Sequence, residues 1–134
     1  MSVEIDQALL SAFIAGNFGL PIAHENAGYT PKQGEAFVEV LINQNDITPF
    51  SLAGSNETDG TMSVILWYPM DAGAISAKNK AAEIMTAFFI GRTLTYAGQR
   101  VTIKSQRRQP GAPENGWYKL SIILSYWAAV ARIA

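Results

Sequence analysis

The chain has 134 residues, 49% of them hydrophobic and only 16% charged, with a net charge of −1. That length builds one domain with its own core. The lack of cysteine excludes a disulfide framework, a thiolate metal site and a thiol nucleophile, and a single histidine, His24, excludes a His–His metal motif. No apolar run reaches the roughly 18 residues of a membrane helix and the N-terminus has no basic leader, so the expectation is a compact soluble intracellular domain with no membrane partner.

In chain order, residues 3–15 predict a helix. Ile5, Ala8, Leu9, Ala12 and Phe13 recur at three-and-four spacing, Ser2 is placed to cap it, and Glu4 and Asp6 sit in the first turn. Gly16 and Gly19-Leu20-Pro21 stop it. A short strand over 22–25 precedes turn chemistry from Asn26 to Gly34. Residues 35–43 then alternate as a strand, with Ala36, Val38, Val40 and Ile42 on one face and Phe37, Glu39, Leu41 and Asn43 on the other. From Gln44 to Gly60 the chain reads as a long polar loop, interrupted by the apolar Phe50 and Leu52.

Residues 61–69 predict a strand with Met62, Val64, Leu66 and Tyr68 on one face and Ile65 and Trp67 on the other. Residues 74–90 predict a helix with an apolar stripe of Ala77, Ala81, Ile84, Met85, Phe88 and Phe89, stopped by Gly91. Strands over 93–96 and 101–108 flank a turn at Ala97-Gly98-Gln99. A breaker-rich loop over 109–116 leads to a long last strand over 117–128. There Tyr118, Leu120, Ile122, Leu124 and Tyr126 form an apolar face, and Trp117, Ile123 and Trp127 belong to the mixed one.

Two helices cannot alternate with this many strands, so a parallel βαβ array is disfavoured. The expected fold is α+β: a mostly antiparallel sheet with both helices packed on one face, in a single domain over 1–134. The other face carries Trp67, Trp117, Ile123 and Trp127 with no helix left to cover it. An uncovered aromatic sheet face reads as an interface; the competing reading is that loop 44–60 folds over it.

No constellation supports catalysis. His24-Glu25 lacks a nucleophile, Glu57, Asp59 and Asp71 lack the spacing of a calcium loop, and no glycine pattern matches a phosphate loop or a nucleophile elbow. The expectation is no catalytic residue, no cofactor and no metal. Charge is unevenly placed: residues 1–60 hold eight acids and one base, a balance of −7, while 61–134 hold nine bases and three acids, a balance of +6. Lys104, Arg107 and Arg108 gather near one strand end, with Arg92 and Arg100 nearby in sequence, as candidates to follow a phosphate backbone or meet an acidic partner surface; the alternative is a solvated rim.

Several strings in this order resemble the tail terminator proteins of long-tailed bacteriophages and related tail-completion proteins. They are Ala23-His24-Glu25-Asn26 with Tyr29 and Pro31, Ala36-Phe37-Val38-Glu39-Val40, Gly60-Thr61-Met62-Ser63-Val64, the helix opened by Gly73 with Ala77, Ala81, Ile84 and Phe88, and Gly116-Trp117-Tyr118-Lys119-Leu120-Ser121-Ile122. The resemblance runs from about Ile22 to Ala128. It implies a non-enzymatic virion protein that caps the head-proximal end of the tail tube as a homohexameric ring, stops tube growth and offers a surface for head–tail joining. Its implied partners are itself, the tail tube protein and a head-side connector, with genomic DNA passing through the lumen without sequence-specific contact. The implied location is the head–tail junction of the virion, after assembly in the host cytoplasm. Candidate inter-subunit or tube contacts are Phe50, Leu52, Trp67, Trp117 and Trp127. The alternatives are another head–tail joining or tail-completion subunit, or a small non-enzymatic ligand- or peptide-binding domain.

Overall fold

The computed structural model describes residues 3–24, 35–45, 48–49, 55–70 and 73–131. Helix α1 spans Val3–Ala15 and buries Ile5, Ala8, Leu9 and Phe13, the stripe read from its spacing. It ends where Asn17 adopts a positive φ of 49° and its N–H reaches the Ile14 carbonyl. The proposed cap, Ser2, lies outside the described residues, as do Glu25 and the turn over 26–34. Strand β1 (Ile22–His24) runs parallel to β2 (Phe37–Gln44), and every other pairing is antiparallel.

The stretch expected as loop from 44 to 60 is corrected at both ends. Thr48–Pro49 forms β3, and β4 begins at Ser55 and runs to Pro69, six residues earlier than expected. Polar residues that favour turns in isolation are held extended there because Ser55–Gly60 pairs with the last turn-free stretch of the chain, Tyr126–Ala131. The expected loop over 109–116 is likewise a hairpin in part. Ala112–Glu114 forms β7 and pairs with Trp117–Lys119 through the two-residue turn Asn115-Gly116, whose φ values are 51° and 83°. The same turn geometry at Ala97-Gly98 (50° and 83°) joins β5 (Thr93–Tyr96) to β6 (Gln99–Arg108), which starts two residues earlier than expected. Strand β8 spans Trp117–Ala131.

The sheet order is β1-β2-β4-β8-β6-β5, with β3 pairing on β4 and β7 on β8. Because β8 already occupies the other side of β4, β3 continues the lane of β2; by the same reasoning β7 continues the lane of β6. Helix α2 spans Gly73–Ala87, starting one residue and ending three residues earlier than expected. Its stripe is corrected at one position: Ala77, Ala81, Ile84 and Phe88 are buried, whereas Phe89 is 56% exposed. The last carbonyls of the helix are capped by one side chain from the sheet and one from the turn that leads into it. Gln106 Nε2 donates to Met85 O and Phe88 O at 3.0 Å each, and Arg92 Nη1 donates to Ala87 O at 2.6 Å.

Both helices pack on one face, as expected. Their residues join Val38, Val40, Met62, Val64, Leu66, Val101, Ile103, Leu120, Ile122, Leu124 and Tyr126 in one core, and Phe13 stacks on Phe88 with centroids 6.2 Å apart to link the helices. Lys80 adds a polar tie, donating to Phe18 O at 2.6 Å and pairing with Glu83 at 2.8 Å.

Candidate functional site

The period of two along β2, β4 and β8 puts one set of residues under the helices and the other on a face that no described helix covers. Trp67 pairs in register with Lys119, and Trp117, Ile123 and Trp127 alternate with the core residues of β8, so all four fall on this open face. The tryptophans are half-buried. They form two groups at opposite ends of β8, about 33 Å apart for ten extended residues.

At one end the centre is Phe37, only 7% exposed. Trp67 stacks on it (centroids 6.0 Å, 12°), and Trp117 meets it edge-on (5.3 Å, 86°). The Trp67 indole N–H donates to Glu39 Oε1 at 3.3 Å, and Lys119 Nζ lies 5.3 Å from the Trp67 ring centroid while reaching Glu114 at 3.9 Å. At the other end the Trp127 indole N–H donates to Glu57 Oε2 at 2.9 Å. Asn45 Nδ2 donates to Asp59 Oδ1 at 2.8 Å, and Lys104 Nζ binds Asp59 Oδ2 at 3.1 Å. The Asn45 hydrogen bond first, and Lys104 second, hold the Asp59 carboxyl below the usual carboxylate range. Asn43, Gln44, Asn45, Glu57, Thr58, Asp59 and Trp127 line a concavity of about 530 Å³. Between the two groups the face is low: Thr61, Ser63, Ser121 and Ser125 interleave with Ile65 and Ile123. Such a surface is aromatic at one end, a polar hollow beside Trp127 at the other, and flat in the middle, the relief of a docking face. Among the described residues no group of three or more acidic or histidine side chains is placed to hold a metal.

The basic residues do not form one cluster. A bulge between Ile103 and Ser105 inserts Lys104 and shifts the rest of β6 by one. Lys104 and Arg107 therefore lie on the open face, with Arg107 opposite Ile123. Arg108 pairs with the core residue Ile122 and lines a second concavity, about 400 Å³, with Lys78, Gln109 and Tyr118 on the helix side. Arg92 is spent inside the fold: besides its helix cap, its guanidinium lies 5.5 Å from the Phe88 ring centroid. Phe50 and Leu52 lie outside the described residues, in the segment between β3 and β4.

Two structural residues escaped the sequence reading. Gln106 reads only as part of a strand, and no local pattern marks it as the cap of a helix that ends nineteen residues earlier. Gly60 was read as the lead of a strand, without its reason: a Cβ there would overlap the Asn43 carbonyl oxygen and come within 2.6 Å of the Tyr126 hydroxyl.

Comparison with solved structures finds a chain that superposes with a TM-score of 0.76 at 18% identity, covering 97% of this chain and 96% of that one, a likeness of fold alone. No curated protein matches this chain. A family model described as "Phage tail terminator protein" matches residues 4–126, a stretch that includes both helices, the sheet up to Tyr126 and nearly all of the open face. With that match spanning almost its whole length, the chain belongs to the phage tail terminator protein family.

Proposed function

We propose that this protein closes into a hexameric ring on the head-proximal end of the phage tail tube, stops tube polymerisation there and presents its opposite face to a head-side connector. The observation that carries the reading is the family match over residues 4–126. The open sheet face supports it, because half-buried tryptophans at both ends and short side chains between them suit a protein surface. In this reading the mechanism is geometric and involves no chemical step. One ring face complements the last ring of tube protein, and the other face does not reproduce the tube's own docking surface, so no further tube subunit adds. The ring's partners are other copies of the chain, the tube protein and the connector, and genomic DNA crosses the lumen without base-specific contact. The place of action is the head–tail junction of the virion.

Electron microscopy of tails assembled with and without the protein tests this directly. Overlong tubes in its absence, returned to uniform length by adding it back, are the expected result. Tails of normal length that fail to join heads would instead favour a joining role without termination.

A further inference from the structure

The end strands of the sheet, β1 and β5, each present an outer edge that no described strand pairs with. Which backbone groups point outward follows from the ladders. In the β5–β6 hairpin the two-residue turn makes Tyr96 and Gln99 a hydrogen-bonded pair, as are Leu94 and Val101. The N–H and C=O groups of Thr93 and Thr95 therefore face away from β6. The 3.2 Å contact between the Thr93 and Thr102 hydroxyls agrees, since side chains lie closest in the non-hydrogen-bonded pairs. On the other edge, Val38 N–H donates to Pro21 O at 2.9 Å, which sets Ala23 to bond β2 and turns the backbone groups of Ile22 and His24 outward.

Two residues on each edge thus offer the same set of donors and acceptors. Neither Ile22-Ala23-His24 nor Thr93-Leu94-Thr95-Tyr96 contains Lys, Arg, Asp, Glu or Pro, the residues that ordinarily keep open edges from pairing. Their shortness limits the contact to about four hydrogen bonds. Apolar surface lies beside β5 to extend it: Phe89 (56% exposed) and Ile90 (61%) in the turn before it, and Tyr96 (41%) at its end. A partner that adds one strand satisfies one edge and leaves the other open. A copy of the same chain supplies what both lack, and unlike edges joined head to tail give a contact that repeats around a ring.

We propose that the outer edge of β5 pairs with the outer edge of β1 in a second copy of this chain, joining the sheets of neighbouring subunits. The proposal rests on the ring reading above and specifies its subunit contact. In the full-length chain, Thr95→Pro removes an outward N–H and leaves the β6 ladder intact, and the pair Thr93→Lys with Thr95→Lys puts charge on exposed positions. Both variants should retain the wild-type circular dichroism melt and lose association at least tenfold by light scattering. Amide exchange on the wild-type ring, free or on tubes, should show Thr93, Thr95, Ile22 and His24 protected together and exposed in the monomer. A ring that forms normally from both variants, with these amides still exchanging freely, overturns the edge contact and leaves the ring reading standing. Protection at Thr93 and Thr95 alone overturns the choice of a second copy as the occupant. A wild-type chain that stays monomeric alone and on tubes overturns both.

Discussion

Tyr126 is buried on the core side of β8, directly across from Gly60 on β4, and its ring occupies the space a side chain at 60 would fill. Gly60→Ala should therefore destabilise the fold by about 2–3 kcal/mol, because backbone and not a flexible tip must move; urea unfolding measures this. Burial first, with Asp6 and Asp59 adding to it, pushes the Tyr126 hydroxyl up to about 12 from its ordinary 10.0. The neutral phenol is thus the form the fold favours. Its stability contribution is complete below pH 10 and is lost as pH rises toward 12, on the order of 2–3 kcal/mol. Melts between pH 9 and 12 should show that loss, and Tyr126→Phe should flatten it. Tyr68, also raised chiefly by burial, adds a component that survives the substitution. At this scale the sequence was legible wherever a residue answers to its own neighbours. Val38, Leu66 and Ile122 announce burial through alternation. Gly60 does not, because its partner is sixty-six positions away.

Helix α2 is held at its C-terminus by Gln106 from β6 and by Arg92 from the turn just before β5. Gln106→Ala removes two hydrogen bonds to carbonyls that face the sheet, and should lower stability by about 1–2 kcal/mol in thermal or urea melts. Gln106→Glu should do no better, since a carboxylate cannot donate to those carbonyls. The elements most readily foreseen were the two helices and the alternating cores of β2, β4 and β8, where one period dominates. The elements that were not foreseen lie where turn-forming residues are overruled by pairing. Ser55–Gly60 is polar and rich in breakers, yet it is extended against β8. Asn115-Gly116 carries the strongest short hairpin signal in the chain, but the prolines at 110 and 113 obscured the short strand before it.

Across the whole molecule, the acidic first half and basic second half are interleaved by the sheet order, so that Asp59 on β4 and Lys104 on β6 meet across β8. This pair is exposed and worth little to stability. The places of Trp67, Trp117, Ile123 and Trp127 on the open face follow from alternation alone, because β4 and β8 keep strict register over fifteen pairs, whereas Glu57 and Asp59 fall in a stretch that reads as loop. What alternation cannot specify is which copy or partner covers it. Trp67→Ser with Trp117→Ser should leave the helix-side core folded while weakening ring or tube association at least about tenfold, measured by light scattering and tube co-sedimentation. Phe50→Ser with Leu52→Ser should act likewise if that segment is an anchor, and unchanged assembly would remove it from the contact surface. The bulge at Lys104 has a consequence of its own for how this gene can vary. Losing that single codon would take out the inserted residue and close the bulge while Ser105, Gln106, Arg107 and Arg108 stay opposite the same residues of β8, so a lineage can drop the lysine, and with it the ion pair to Asp59, without rolling the end of the strand or uncapping the helix.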